Sequence, residues 1–306
     1  MKRLQLNLAL AVIAAGLGAA VFFSGKKEPP PAPPLTALKA DAIDRIVIAH
    51  PGKPDIRLEK HNGGWKLTAP VTVDADALEV NGILSLAGME TRSTLDPTQV
   101  DKAELGLAPA AYTVTLNDVA LQFGGIEPLK YQRYIETGGR IALVDDPPSG
   151  PLDADWSDLA SKALLPAGAD IRKIEVPGLT VARSADGKGW EATPAAPAVT
   201  SDALQHFVDG WQSARALWVQ AETGTVEGEP VTVTLADHPV TLRIETRDPQ
   251  FVIDRPDLKL RYVFRRPDAD KLMKLPEPKT ESKTTDKPAG DAAAAPASAA
   301  PKPPAP

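Results

Sequence analysis

The chain has 306 residues, of which 43% are hydrophobic and 24% charged, and its formal net charge is −6. A chain of this length and composition can bury a core, and its length allows two domains. The acidic balance disfavours nucleic acid as a partner, because phosphate binding needs clustered lysine and arginine. The chain has no cysteine, which excludes disulfides, thiolate metal sites, cysteine nucleophiles and cysteine lipidation.

An apolar run covers residues 4–23, directly after Lys2 and Arg3. About 20 helical residues, at about 1.5 Å each, span the core of a bilayer. The run ends in Phe22 and Phe23 instead of a small-residue cleavage site, which favours a retained anchor over a cleaved signal peptide. We therefore expect residues 1–24 to form a single-pass inner-membrane anchor, with the rest of the chain in the periplasm.

Biased composition marks two further segments. Residues 25–40 are rich in proline, which predicts a semi-rigid linker between the anchor and the first strand. Residues 276–306 consist mostly of alanine, proline, lysine and threonine, and this composition predicts a disordered tail because it cannot build a core.

The sequence between these segments repeats. The alternating strand pattern of residues 43–48 recurs at residues 171–176, and a glycine turn leads to Trp65 in one copy and Trp190 in the other. Each copy then passes through prolines into a helix that contains Asp-Ala-Leu, and further strands follow. We predict an α+β fold of two tandem homologous units, at residues 41–165 and 166–275, each a mainly antiparallel sheet with one main helix. The spacing leaves open whether the units share one sheet.

The two main helices have predicted caps and buried faces. Asp74 is the expected cap of the first helix, and Thr200 or Ser201 that of the second. Apolar positions at near-helical spacing predict one buried face in each helix. These positions are Leu78, Ile83, Leu84 and Leu86 in the first helix, and Leu204, Phe207, Val208 and Trp211 in the second.

Motifs of known chemistry have simpler structural interpretations. The four histidines lack the spacing of a metal site. Three Asp-Ala-Asp triplets, at residues 74–76, 153–155 and 268–270, lie at predicted helix starts, where carboxylates cap free amides; a metal-binding role is the alternative. The glycine pairs at residues 124–125 and 138–139 predict hairpin turns. Because Trp65 and Trp190 follow the same turn, we expect them to be core anchors, with ligand binding as the alternative.

One group of basic residues is concentrated enough to form a candidate partner-binding site. Strand alternation places Arg261 and Arg265 on one face, where they could contact an acidic partner or lipid headgroups. The alternative is an ordinary solvated face of the sheet. The full group is Arg243, Arg247, Arg261, Arg265 and Arg266.

The repeated order of strand, glycine turn, tryptophan, prolines and Asp-Ala-Leu helix resembles the bacterial family called domain of unknown function 4340. The likeness covers most of residues 43–275. Some relatives are linked with the auxiliary, gliding-motility-type component of ABC transporters, so the resemblance implies an envelope protein that accompanies a transport system. The family supplies no catalytic residue to carry over.

We therefore expect a non-enzymatic, membrane-tethered binding or scaffold protein without a cofactor, whose partner is a transporter component or another envelope protein. Two alternatives stay open. A hydrolase or glycan-modifying enzyme with dispersed site residues would show an acidic pocket with raised carboxylate pKa values. A lipid- or solute-binding protein would show a large apolar cavity between helix and sheet.

Overall fold

The computed structural model describes residues 5, 13–16, 32–147, 152, 155–195, 199–224 and 227–276. Within this part of the chain the fold is two antiparallel sheets with few helices. Most of the expected anchor at residues 1–24, and the expected tail at residues 276–306 apart from its first residue, lie outside the described residues. No helix among the described residues is long and apolar enough to cross a membrane.

The first sheet has nine strands, all paired antiparallel. The strands are β1 (Arg45–Ala49), β2 (Ile56–His61), β3 (Gly64–Ala69), β4 (Val73–Asp74), β5 (Thr91–Leu95), β6 (Tyr112–Leu116), β7 (Val119–Ile126), β8 (Gln132–Thr137) and β9 (Arg140–Asp145). Their order across the sheet is β4-β3-β2-β1-β6-β7-β8-β9-β5.

The second sheet has eight strands. They are β10 (Ile171–Val176), β11 (Leu179–Arg183), β12 (Trp190–Thr193), β13 (Trp218–Ala221), β14 (Glu229–Leu235), β15 (Pro239–Thr246), β16 (Phe251–Arg255) and β17 (Leu260–Phe264). Their order is β12-β11-β10-β14-β15-β16-β17-β13. The described α-helices are α1 (Ala77–Ser85), α2 (Trp156–Leu159), α3 (Ser201–Gln212) and α4 (Arg266–Met273), and 3-10 turns occupy Ala40–Ala42 and Leu86–Gly88.

The two sheets have the same strand order when their strands are matched along the chain. Strand β10 takes the place of β1, β14 that of β6, and β13 the edge position of β5, while β4 is an extra edge strand of the first sheet. We call the first sheet with α1 the first unit, and the second sheet with α3 and α4 the second unit. The sheets are separate, which answers the question that the repeat spacing left open.

Local chemistry explains the tight turns and the helix starts. Asn62 and Gly63 both have positive φ, 50° and 82°, which the two-residue turn between β2 and β3 requires. Asp76 caps α1 by accepting a hydrogen bond from the Leu78 amide at 3.0 Å, and Thr200 caps α3. The prediction that Asp74 caps the first helix was therefore wrong by two residues, because Asp74 ends β4.

The buried faces of the helices follow the prediction closely in α3 and less closely in α1. All four predicted residues of α3 are buried, and so are Ile83, Leu84 and Leu86 of the first unit. Leu78 is 78% exposed, so its assignment to the buried face was wrong. Leu78 is the second residue of α1, which begins at Ala77 after the Asp76 cap. The buried residues of α1 begin only at Val80.

A segment at residues 155–165, which we call the strap, connects the two units. On the side of the first unit, the Asp76 amide donates to the Leu159 carbonyl oxygen at 2.8 Å. On the side of the second unit, the Leu164 amide donates to the Ala214 carbonyl oxygen at 2.9 Å. Leu159 and Leu164 are fully buried within one apolar cluster that draws residues from both units. The strap therefore gives the two sheets a shared core.

An ion pair crosses the same junction. Arg215 of the second unit donates from Nη2 to Asp76 Oδ2 at 2.9 Å, so the carboxylate that caps α1 also binds the other unit.

A backbone hydrogen bond holds the residues that precede the first sheet against the first unit. Leu35, within the proline-rich range 25–40, is buried and its amide donates to the Met89 carbonyl oxygen at 2.6 Å.

Asp76→Ala removes both the cap of α1 and the partner of Arg215, and we expect it to lower the free energy of unfolding by about 2 kcal/mol. Thr200→Ala removes only the cap of α3 and should cost about 1 kcal/mol. Urea unfolding measures both. In double variants with Arg215→Met, a coupling of about 0.5 kcal/mol or more is expected with Asp76→Ala and none with Thr200→Ala. Equal coupling in the two pairs would contradict a direct link across the junction.

Candidate functional site

Three charged residues stand side by side on neighbouring strands of the second sheet. Arg243 on β15 pairs with Asp254 on β16, and Asp254 pairs with Arg261 on β17. The neighbours of Asp254 on β16 include Ile253, which belongs to the apolar core. Because side chains alternate along a strand, Asp254 faces away from this core, on the outer face of the sheet.

Asp254 is fully buried and only one of its two oxygens is paired. Arg261 Nε donates to Asp254 Oδ1 at 2.9 Å, and Arg261 Nη2 lies 2.5 Å from Glu245 Oε2. Asp254 Oδ2 is buried without a hydrogen-bond partner. Burial acts against the charge of Arg261, but the hydrogen bond to Asp254 and the charges of Asp254, Glu245 and Glu222 outweigh it, so that the pKa of Arg261 is raised. The guanidinium therefore stays charged and holds one carboxylate oxygen.

An open cleft of about 360 Å³ lies at this position. Its second wall is the end of the segment between β13 and β14, where Gly228 has φ 138°. A Cβ at Gly228 would stand 2.2 Å from the Ile244 carbonyl oxygen, so only glycine allows the segment to approach β15 this closely. The residues that line the cleft are Glu227, Gly228, Glu245, Asp254 and Arg261.

The structure brings Arg243 and Arg261 together beside Asp254. Arg243 Nη1 donates to the Gly228 carbonyl oxygen at 3.3 Å. Arg247 pairs with Glu229 on the neighbouring strand. These three arginines of the predicted group therefore lie on β15 and β17 or just after β15, each with an acceptor of its own.

Arg265 and Arg266 lie outside this arrangement. Strand β17 ends at Phe264, and Arg265 is the N-cap residue of α4, so the expectation that Arg261 and Arg265 share a strand face was wrong. Arg265 pairs with Asp268 at 3.2 Å, and Arg266 pairs with Asp248 at 3.1 Å. Both arginines are largely exposed.

The first unit has a carboxylate at the matching position. Glu136 on β8 pairs across the ladder with Ile141 on β9, as Asp254 does with Arg261. Lys102 Nζ, from the segment between β5 and β6, donates to Glu136 Oε1 at 2.6 Å. The matching segment of the second unit, residues 222–228, is shorter than residues 96–111 and contains Glu222 and Glu227. The first unit thus neutralises its carboxylate with a loop lysine, whereas the second unit uses a strand arginine.

The segment between β5 and β6 also explains the first glycine pair. Gly124 and Gly125 lie inside β7, and the Gly125 amide donates to the Leu105 carbonyl oxygen at 2.8 Å. A Cβ at Gly124 would stand 2.5 Å from that oxygen. The prediction of a hairpin turn here was wrong, since the glycines allow a loop to pack against a strand. Gly138 and Gly139 do form the turn between β8 and β9.

The two tryptophans that were predicted to be core anchors lie at the edge of the core. Trp65 and Trp190 are half-buried and pack against the edge of the core, so the core-anchor prediction was only partly right. Trp190 Nε1 donates to Gln205 Oε1 at 3.0 Å, and the Arg183 guanidinium lies 5.0 Å from the Trp190 ring centre. Trp190 and Arg183 help to line a second open cleft, of about 330 Å³.

The Asp-Ala-Asp triplets cap two of the three helices concerned. Asp76 caps α1, and Asp155 caps α2 in a reciprocal arrangement with Asp158. Asp268 does not cap α4, whose N-cap residue is Arg265; it pairs with Arg265 and Lys271 instead. Among the residues that the structure describes, no group of three histidine, aspartate or glutamate side chains could hold a metal ion.

The fold and this site define a class of protein with two matched antiparallel sheets, each of which carries an ion-paired carboxylate on its outer face. Residues 65–231, more than half of the chain, match the family model described as domain of unknown function (DUF4340). The chain belongs to this family, as the repeated motif predicted. Searches of curated proteins and of solved structures find no match. The link to ABC transporters stays a prediction.

Arg261→Met would leave the Asp254 carboxylate buried without a cation, and we expect it to lower the free energy of unfolding by about 3 kcal/mol. Arg265→Met removes an exposed arginine that pairs with Asp268 and should cost less than about 1 kcal/mol. Adding Asp254→Asn to Arg261→Met removes the unpaired charge and should recover much of the loss. Urea unfolding tests all three variants, and similar costs for Arg261→Met and Arg265→Met would show that Asp254 does not depend on Arg261.

Proposed function

We propose that this chain is a membrane-anchored periplasmic binding or scaffold protein, accessory to an ABC-type transport system or another envelope complex. The observation that supports protein contact is an exposed apolar segment at residues 126–131, from the last residue of β7 to the start of β8, which we call the apolar loop. Leu129 is 85% exposed, Tyr131 74% and Ile126 45%. Exposed apolar side chains that cluster in this way mark interaction sites.

The apolar loop is held in one shape by its own hydrogen bonds. The Glu127 carboxylate accepts from the Leu129 amide at 3.2 Å and from the Lys130 amide at 2.6 Å. The Tyr131 amide donates to the Glu127 carbonyl oxygen at 3.0 Å, and Tyr131 has φ 57°, a left-handed conformation that is costly for an aromatic residue. A loop ordered before contact loses little conformational entropy when it binds.

The second unit shows that the fold does not require these apolar residues. The matching turn between β15 and β16 contains Arg247, Asp248, Pro249 and Gln250, all exposed. In that turn Asp248 pairs with Arg266 of α4. Since the same strand order tolerates a polar turn, the apolar loop of the first unit is better explained by contact with a partner than by folding.

The two matched units support a scaffold function in a further way. We infer that they are homologous copies of one ancestral unit, because their strand orders agree and the glycine turn, tryptophan and helix recur in each. When one copy keeps the strand order and changes a loop, the two units share a fold but present different surfaces to a partner. Loops on a rigid framework are the usual place for such divergence.

A photo-crosslinking residue at position 129 of the full-length protein, in native membranes, tests the proposal. We expect it to capture a discrete envelope protein, and recovery of an ABC-transporter subunit would support the transport assignment specifically. The matched control carries the same residue at Gln250, in the polar turn of the second unit. Tyr131→Ser should reduce the yield from position 129 about tenfold without lowering stability by more than about 0.5 kcal/mol. Equal background yields from positions 129 and 250 would contradict the proposal.

A further inference from the structure

We propose that the cleft beside Asp254 is a binding site for a primary ammonium group carried on a flexible stem. The proposal does not depend on the scaffold function, because it concerns a different surface, on the second unit. Its basis is the contrast between two matched carboxylates. Each is bound by one cation of the chain, but the Glu136 side chain is 17% exposed, whereas Asp254 is fully buried with its second oxygen unpaired.

The first unit shows which group fits this position of the fold. Lys102 Nζ, an ammonium on a four-carbon stem, contacts Glu136 Oε1 at 2.6 Å over the outer face of the first sheet. In the second unit the shorter segment between β13 and β14 brings glutamates to this region, and a cleft of about 360 Å³ opens there. A ligand ammonium in this cleft would take the place that Lys102 takes in the first unit.

The charge of the cleft selects a cation. Asp254, Glu245 and Glu227 line it, and Arg261 is the one basic residue in its lining. Arg261 already contacts Asp254 and Glu245, so that its charge is shared between two carboxylates. Arg243 lies next to the lining, where it donates to the Gly228 carbonyl oxygen. The three carboxylates outnumber these two arginines, so the cleft keeps an excess of negative charge, which attracts cations and repels anions.

The buried oxygen of Asp254 adds an independent requirement. A carboxylate oxygen removed from water without a hydrogen bond is destabilised, and a charged donor relieves this cost. Asp254 Oδ2 is such an oxygen, in a residue that lines the cleft. A metal ion is a poorer fit, because the described residues contain no group of three ligands arranged to hold one. A primary ammonium has three N–H donors, and the carboxylates of Asp254, Glu227 and Glu245 in the lining of the cleft are acceptors for them.

The route into the cleft passes Glu227 and Glu245, both of which are exposed. These two carboxylates attract the ammonium at the surface. Because Asp254 is fully buried, the ammonium reaches Oδ2 only when the exposed side chain of Glu227 or Glu245 moves aside. A lysine side chain of a polypeptide and the amino group of a small molecule share this chemistry.

Isothermal titration of the full-length protein with n-butylamine, n-butylguanidine and 1-butanol tests the proposal at fixed ionic strength. We expect saturable binding of n-butylamine and none of 1-butanol, which has the same stem without the charge. Binding of n-butylguanidine as tight as that of n-butylamine would overturn the assignment to a primary ammonium. Absence of n-butylamine binding would overturn the site itself.

Two variants and one matched control locate the binding. Glu227→Lys places a lysine at the cleft, as Lys102 is placed in the first unit, and should weaken n-butylamine binding at least about tenfold while the protein stays folded. Asp254→Asn should weaken binding to a similar extent. Glu136→Gln, at the matching position of the first unit, should leave it unchanged. Binding that survives Glu227→Lys, or that is lost with Glu136→Gln, would contradict the proposed location.

A lysine-containing peptide with blocked termini separates the two sources of the ammonium. Tighter binding of this peptide than of n-butylamine would assign the site to a polypeptide partner, and weaker binding would assign it to a small amine. Either result supports the ammonium site if Glu227→Lys abolishes it.

Discussion

A carboxylate that is partly or fully shielded from water on the outer face of a sheet needs a cation, and the two units of this protein supply that cation differently. Glu136 is reached by Lys102 from a long loop, whereas Asp254 depends on Arg261 from the adjacent strand. A buried, unpaired carboxylate costs several kcal/mol, so the position fixes the chemistry of the residues around it. The glycines at positions 124 and 228 serve the same region, because each allows a loop to pack closely against the strand ladder.

The strap joins the two units, with their matched carboxylates, through hydrogen bonds and a shared core. Asp76 both caps α1 and binds Arg215, and Leu159 and Leu164 are buried in a core that includes residues of both sheets. The two units thereby share a framework while their loops differ. The apolar loop belongs to the first unit and the acidic cleft to the second, which is consistent with duplicated units that kept their strand order and diverged at their surfaces.

Sequence reasoning could predict the parts of the fold that depend on local pattern. Alternating strands, the Asn62-Gly63 turn and the apolar stripe of α3 are visible in single segments, and comparison of the chain with itself revealed the repeated order. The pairing of Asp254 was missed because it depends on strand register, which aligns β16 with β17 and is not encoded in one segment. Gly124 and Leu78 were misassigned for a similar reason, since a distant loop decides the first and the helix start decides the second. A useful signal for Asp254 was an acidic residue directly after the three apolar residues at 251–253, with an arginine on the next strand.

The second unit pairs one oxygen of Asp254 with Arg261 and leaves the other, Oδ2, for an external ammonium, whereas the first unit binds its matched carboxylate with its own Lys102. A crystal structure of the protein grown with n-butylamine tests this most directly. We predict an ammonium nitrogen about 2.8 Å from Asp254 Oδ2, with the butyl stem leading past Glu227 to solvent and with the Lys102–Glu136 pair unchanged. An amine bound elsewhere, or a cleft that closes around Asp254 with a second cation of the chain on its free oxygen, would contradict it.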